Sequence, residues 1–92
     1  MDLNLENKNA MVCGSTQGIG KAIAVELSRS GANITLFARN EQRLKEVVLE
    51  LDTSRGQIHD YLVADFINPV QVSSALGRFF KNGRTVHILK LK

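Results

Sequence analysis

The sequence has little cysteine and no long apolar run. Cys13 is the only cysteine among 92 residues, so an internal disulfide and a cysteine-rich metal site are excluded. No apolar stretch approaches the roughly 20 residues that a membrane-spanning helix needs. Residues 1–6 have neither a basic start nor a long apolar centre and do not resemble a secretory signal. We expect a cytoplasmic protein without a membrane role, in which Cys13 is a small core residue.

Acidic side chains are absent from the last twelve residues. The first eighty residues carry eight basic and nine acidic side chains and are nearly neutral. The net charge of +3 therefore comes from a basic tail and not from a basic face interleaved with aromatic rings. This distribution argues against nucleic-acid binding. The basic residues of the tail are Lys81, Arg84, Lys90 and Lys92.

Apolar patterning alternates between strand and helix along the chain. Short apolar runs predict four strands, at residues 9–13, 33–38, 58–64 and 86–89. Between them, apolar side chains recur at helical spacing and predict three helices. The helical stripes are Ile19, Ala22, Ile23 and Leu27; Leu44, Val47, Val48 and Leu51; and Val72, Leu76, Phe79 and Phe80.

Turn residues separate these elements. Gly31 stops the first helix, and Asn82-Gly83 stops the third. The third helix also has a clear start: Asn68 is its cap, Pro69 suits its first position, and Gln71 stands where a capping-box partner belongs.

The order βαβαβαβ predicts an α/β fold with a parallel sheet, since parallel strands need helical crossovers. Right-handed crossovers then favour a Rossmann-type strand order, 3-2-1-4, as an incomplete doubly wound fold. Ligands of such sheets bind at the carboxyl ends of the strands, where the winding direction reverses. Here that point lies between strands one and four.

A glycine-rich turn, residues 14–20, follows the first strand at this point. Its bare backbone lets N–H groups approach a pyrophosphate, and the next helix presents free donors and a positive dipole end. The turn therefore predicts a dinucleotide site, with a purely structural turn as the alternative. The predicted contacts are Gly14, Ser15, Thr16, Gln17, Gly18, Ile19 and Gly20.

A P-loop is the nearest competing motif. Gly20-Lys21 resembles its Gly-Lys pair, but Ala22 replaces the magnesium-binding Ser or Thr, and Ser15 replaces the first glycine. ATP or GTP hydrolysis is therefore rejected.

The end of the second strand indicates which cofactor binds. An acidic residue there would accept hydrogen bonds from the adenosine ribose, but the sequence has Ala38 and Arg39. A guanidinium pairs with a 2′-phosphate, which favours NADP(H) over NAD(H). The alternative is a solvated arginine at a strand end.

With these residues, the chain resembles the amino-terminal part of a short-chain dehydrogenase/reductase, over about residues 5–89. The family pattern Thr-Gly-x-x-x-Gly-x-Gly is matched by Gly14, Gly18 and Gly20, while Cys13 departs from the usual Thr. Asp65 resembles the family's adenine-contacting aspartate, with a turn-forming Asp as the alternative. The resemblance implies that residues 1–92 are a single, partial NAD(P)-binding Rossmann domain.

The family's catalytic segment does not appear in the sequence. The fourth strand should continue into Asn-Asn-Ala-Gly, whereas residues 90–92 read Lys-Leu-Lys, and the family's Ser, Tyr and Lys have no counterpart. Tyr61, His59 and His87 receive no catalytic role, and exposed or strand-end positions are expected for the histidines.

The resemblance therefore implies the NADP(H)-binding part of an oxidoreductase that moves hydride between nicotinamide and a carbonyl or alcohol. The glycine turn resembles those of 3-oxoacyl-acyl-carrier-protein reductases and of related sugar and polyol dehydrogenases. We expect the 92 residues alone to be inactive.

The alternative is a non-catalytic nucleotide-binding or interaction module. In the strand order 3-2-1-4 the fourth strand is an open edge, and only the helix of residues 70–80 covers one of the two sheet faces, so apolar surface stays exposed there. We expect self-association through that edge and that face.

Overall fold

The computed structural model describes residues 4–14, 17–81 and 83–90. The elements, in chain order, are β1 (Asn9–Cys13), α1 (Gly18–Arg29), β2 (Asn33–Ala38), α2 (Glu41–Glu50), β3 (Asp60–Val63), α3 (Pro69–Lys81) and β4 (Ile88–Lys90). All described strand pairs are parallel, in the order β3-β2-β1-β4. The predicted Rossmann-type fold is confirmed. The predictions for Ser15, Thr16 and Asn82 lie outside the described residues.

β1 and β2 form the centre of the sheet because their side chains are apolar on both faces. Four of the five residues of β1 and five of the six residues of β2 are buried. Their register pairs Ala10 with Ile34 and Val12 with Leu36. Such continuous burial is typical of a parallel strand that helices cover on both sides.

Alternate side chains of these strands enter two separate cores. On one face, Val12 and Leu36 pack with Ala24 of α1 and with Leu44 and Val47 of α2. On the other face the core contains Met11, Cys13 and Phe37 with Ala75 and Phe79 of α3. The side-chain period of two in a strand separates the two cores.

β3 is shorter than predicted. The sequence predicts a strand over residues 58–64, but pairing begins at Asp60 and ends at Val63. Before that point side chains replace the backbone ladder: the Ile34 N–H donates to His59 Nδ1 at 3.0 Å, and the Ile58 N–H donates to Asn33 Oδ1 at 2.8 Å.

β4 is shifted toward the carboxyl end of the chain relative to the predicted residues 86–89. The Asn9 N–H donates to His87 Nδ1 at 2.9 Å, so an imidazole occupies the first position of the ladder. Regular pairing starts one residue later, where Ala10 pairs with Ile88. His59 and His87 both lie at strand starts, as expected.

The start of α3 is as predicted except for one partner. Asn68 caps the helix, because its Oδ1 accepts hydrogen bonds from the Val70 and Gln71 N–H groups at 3.1 and 3.3 Å. Gln71 does not complete a capping box, and that part of the prediction is wrong. Its Oε1 accepts from the Asp65 N–H at 3.0 Å, while the Asn68 N–H donates to the Asp65 carbonyl oxygen at 2.9 Å.

Candidate functional site

An open cleft of about 940 Å³ lies where the carboxyl ends of the strands meet the start of α1. The structure describes eight of the ten predicted site residues, and all eight line this cleft. They come from the glycine turn, from the end of β2 and from the turn after β3. Whether they contact a cofactor stays a prediction.

The glycine turn presents bare backbone to the cleft. Gly14 and Gly18 have φ of 67° and 63°, a region that disfavours residues with a side chain. A Cβ on Gly18 would meet nothing within 4 Å, so the space in front of it is open. The Gly14 N–H extends the β1–β2 ladder by donating to the Phe37 carbonyl oxygen at 2.8 Å. The turn thus leaves room for a ligand to approach the main chain.

The start of α1 suits a negatively charged group. Gln17 is its cap residue, and its side chain makes no capping hydrogen bond. The first turn contains no acidic residue. The first N–H groups of α1 and the positive end of its dipole therefore lie at the cleft without a carboxylate in the same turn.

β2 delivers two residues of different character. Ala38 is buried, and its carbonyl oxygen accepts from the Ala64 N–H at 3.0 Å, which joins the ends of β2 and β3. Arg39 is exposed at the cleft. Among the ion pairs formed within the described residues, none involves Arg39. Its guanidinium is available to an anion.

Asp65 forms a turn after β3. Its Oδ1 accepts from the Ile67 N–H at 3.0 Å. This is the turn-forming arrangement that the sequence offered as the alternative to an adenine contact. The two roles are compatible, because a carboxylate has a second oxygen with lone pairs of its own.

Two large apolar residues of the cleft, Phe66 and Ile67, were not predicted from the sequence. Their side chains are 50% and 84% exposed. The Phe66 ring lies 4.8 Å from the Phe37 ring, centroid to centroid, with a tilt of 38°. The available sequence signal was the presence of two large apolar residues between the third strand and the cap of the third helix, where polar turn residues are usual. Cys13, Ile23 and Lys90 complete the lining that was not predicted.

Cys13 lies under the cleft at the end of β1. It is buried and free, as predicted for a small core residue. Burial raises the pKa of the Cys13 thiol above its usual value, because the thiolate would be desolvated. This environment disfavours a reactive thiolate.

Tyr61 is turned toward α2 and does not line the cleft. Its hydroxyl donates to Glu41 Oε2 at 3.0 Å. Desolvation, followed by the hydrogen bond to Glu41, raises the pKa of Tyr61. A phenol held in this way is a structural donor.

The described residues contain no cluster of three or more histidine, cysteine or acidic side chains placed to bind a metal ion. They also contain no helix with the length and apolar character needed to cross a membrane.

Comparison with known proteins decides the family. The family model for short chain dehydrogenases matches residues 8–91. The chain belongs to the short-chain dehydrogenase family. This assignment agrees with the strand order and with the position of the glycine turn.

Two curated relatives illustrate the likeness of this short-chain dehydrogenase chain. An uncharacterized oxidoreductase of Bacillus subtilis (strain 168), YvaG, is 44% identical over 57 residues, which are 62% of the chain and 22% of that protein. Hydroxysteroid dehydrogenase-like protein 1 of Gallus gallus is 38% identical over 80 residues, which are 87% of the chain and 24% of that protein. The match thus spans about a quarter of the length of either relative.

A solved structure shows the same fold. L-sorbose reductase of Gluconobacter frateurii, crystallised with NADPH and L-sorbose, superimposes with a TM-score of 0.83 at 31% identity. The match covers 97% of the chain and 34% of that protein. The described fold therefore corresponds to about one third of the L-sorbose reductase chain.

Proposed function

We propose that this chain is the NADP(H)-binding part of a short-chain oxidoreductase that transfers hydride between nicotinamide and a carbonyl or alcohol. The observation that carries the proposal is the cleft, which is lined both by the bare backbone of Gly14 and Gly18 and by the exposed residue Arg39. The finer substrate class is a 3-oxoacyl-acyl-carrier-protein-like ketone, on the resemblance of the glycine turn.

The residues present fit a dinucleotide. The open space before Gly18 leaves room for a phosphate to approach the main chain, and the start of α1 supplies N–H donors. Gly14, Ser15, Thr16, Gln17, Gly18, Ile19 and Gly20 would hold the pyrophosphate segment. When bound, the nicotinamide ring supplies or accepts the hydride.

The adenosine end would lie between β2 and β3. Arg39 would pair with a 2′-phosphate, Ala38 would leave space beside the ribose, and Asp65 would accept from the adenine amino group. The half-exposed Phe66 ring offers an apolar surface in the same part of the cleft. The NADPH complex of the 31% identical L-sorbose reductase supports the choice of cofactor.

We propose that residues 1–92 bind cofactor without turnover. The family's catalytic Ser, Tyr and Lys have no counterpart in the sequence, and Tyr61 is engaged with Glu41. A reductase assay with NADPH and a 3-oxoacyl thioester tests this point. Steady NADPH oxidation by the purified chain would contradict it.

Titration of the chain with NADPH and NADH tests the cofactor proposal. We expect tighter binding of NADPH, and Arg39→Asp should weaken it by roughly tenfold or more because a carboxylate repels the 2′-phosphate. The control is Arg78→Asp, at an exposed arginine of the last turn of α3. Equal affinity for both cofactors would contradict the preference, and no binding by a folded chain would overturn the whole proposal.

An apolar groove supports the second candidate, an interaction module. It has a volume of about 300 Å³ and lies between α3 and the β1–β4 side of the sheet. Leu89 and Phe80 at its rim are 57% and 52% exposed. Self-association through the β4 edge or this face would bury them. Light scattering over a concentration series tests this, and a monomer at all concentrations, unchanged by Leu89→Glu, would exclude it.

We further propose that residues 1–92 fold as one unit and act in the cytoplasm. A single unfolding transition followed by two probes tests the first point. Cell fractionation tests the second.

A further inference from the structure

A second arginine, Arg43, lies beside the cleft and contacts one of its lining residues. Arg43 lies in the first turn of α2, and its Nη2 donates to Gln17 Oε1 over 3.4 Å. Gln17 is the cap residue of α1 and lines the cleft, as does Arg39. The Arg43 guanidinium therefore spans from α2 to the glycine turn.

The backbone holds Arg43 at this position. Asn40 directly follows Arg39 and caps α2, and its Oδ1 accepts from the Arg43 N–H at 3.1 Å. This bond fixes the first turn of α2 relative to the end of β2. The main chain at Arg39 and the main chain at Arg43 are therefore held in fixed relative positions, and this does not require the Arg43 side chain.

Neither Arg39 nor Arg43 takes part in the ion pairs formed within the described part of the chain. The adjacent carboxylate of Glu41 accepts instead from the Tyr61 hydroxyl. The partner of Arg43 is a neutral amide at a long distance, which an incoming dianion would readily replace.

We infer that Arg43 is a second guanidinium for the 2′-phosphate of NADP(H), acting beside Arg39 from the first turn of α2. The inference rests on the proposed function and adds a specificity residue to it. Guanidinium groups suit this role because each presents several donors in a fixed plane to the phosphate oxygens. Gln17 holds the Arg43 side chain toward the cleft until the phosphate takes its place.

The experiment compares Arg43→Gln with Lys45→Gln in the full 92-residue chain. Lys45 is an exposed cation of α2, and residues two apart on a helix do not face each other. The probes are adenosine 2′,5′-bisphosphate, 5′-AMP, NADPH and NADH, with binding followed by calorimetry. Circular dichroism verifies that both variants are folded.

Arg43→Gln should weaken the binding of adenosine 2′,5′-bisphosphate and of NADPH by roughly fivefold to tenfold, as expected for the loss of one exposed charged contact. The affinities for 5′-AMP and NADH should change by less than about twofold, and Lys45→Gln should change the affinity for each of the four probes by less than about twofold. Arg43→Lys should restore part of the loss. A merely structural role of Arg43 would weaken all four probes alike.

The two proposals fail in different ways. Suppose that the wild type prefers NADPH and that Arg39→Asp abolishes this preference. If Arg43→Gln then binds the four probes as tightly as Lys45→Gln does, the role of Arg43 is overturned while the proposed function stands. If a folded wild type binds none of the four probes, the proposed function itself is overturned.

Discussion

At the amino ends of the strands, polar side chains bind the backbone of the neighbouring strand, whereas at the carboxyl ends they surround an open cleft. Asn9 and Asn33 begin β1 and β2 and bind each other, with Asn33 Nδ2 donating to Asn9 Oδ1 at 3.1 Å. His59 and His87 accept from strand N–H groups. At the opposite edge, Arg39 forms no ion pair within the described residues, and the space in front of Gly18 is open.

This difference separates stability from binding. A polar group that is already paired lowers the free energy of the fold and has little left for a ligand. A group without a partner adds little to stability and keeps its full interaction for an incoming molecule. We therefore expect changes at the amino edge to alter stability and changes at the carboxyl edge to alter binding.

Gly18→Val should give the largest effect. A β-branched residue at φ +63° is strained, at a cost of roughly 1–2 kcal/mol, and its side chain would occupy the space before the turn. We expect NADPH binding to become undetectable by calorimetry, with a lower midpoint of thermal unfolding.

The control for this prediction is Gly77→Ala. Gly77 lies inside α3, and a Cβ there also meets nothing within 4 Å. The substitution should stabilise the helix by roughly 0.5–1 kcal/mol and leave NADPH binding unchanged. If Gly18→Val still bound NADPH normally, the close approach of a phosphate to this turn would be wrong.

His59→Ala should give an intermediate effect, and on stability alone. It removes the acceptor of the Ile34 N–H, at the partly buried start of β2, and the contact of Nε2 with the Asp52 carbonyl oxygen at 2.7 Å. An unpaired partly buried N–H costs roughly 1–3 kcal/mol, measurable by urea unfolding. NADPH affinity should not change.

His87→Ala is the matched comparison on the same edge. His87 is exposed, so water can replace its bond to the Asn9 N–H, and the loss should be smaller than for His59→Ala. His59→Asn should recover part of the stability, because its Oδ1 is also an acceptor. A large drop in NADPH affinity in any of these variants would show that the two edges are not independent.

Asp52→Asn should give the smallest effect. The backbone N–H of Ser54, which donates to Asp52 Oδ1 at 2.9 Å, is the main cause that lowers the pKa of the Asp52 carboxyl below its ordinary value. A lowered pKa in the folded state stabilises the protein above the unfolded pKa, and this contribution is lost as pH falls through the folded value. Wild type should therefore lose stability below about pH 4 more steeply than Asp52→Asn does.

Thermal unfolding midpoints between pH 2 and pH 7 measure this difference. Parallel curves for the two proteins would contradict it. Asp52→Asn should leave the affinity for NADPH at neutral pH unchanged, since Asp52 does not line the cleft.

The central strands were predictable because their signal is continuous. β1 and β2 have the predicted bounds, 9–13 and 33–38, since both faces of each are buried after the first residue and nearly all of those buried side chains are apolar. The edge strands were less predictable. The start of β3 depends on whether the Ile34 N–H pairs with a backbone carbonyl or with His59, which local pattern does not reveal.

The candidate site divides in the same way. Glycine spacing placed the turn before α1, and the strand order placed Arg39 and Asp65 beside it. Phe66 and Ile67 were missed because apolar residues in a turn carry no motif. Arg43 was missed because its contact with Gln17 joins two helix starts 26 residues apart.

The amino-acid sequence by itself determined the alternation of strands and helices, the glycine turn and the absence of an acid after β2. These features depend on near neighbours in the chain, through side-chain period, turn conformation and residue charge. The tertiary structure alone decided which donors stay without partners. Asn9 hydrogen-bonds to His87, 78 residues away, and Tyr61 hydrogen-bonds to Glu41, 20 residues away. Arg39 forms no ion pair with an acidic residue in the described part of the chain. Such partnerships depend on strand register and helix placement, which form only when the sheet assembles.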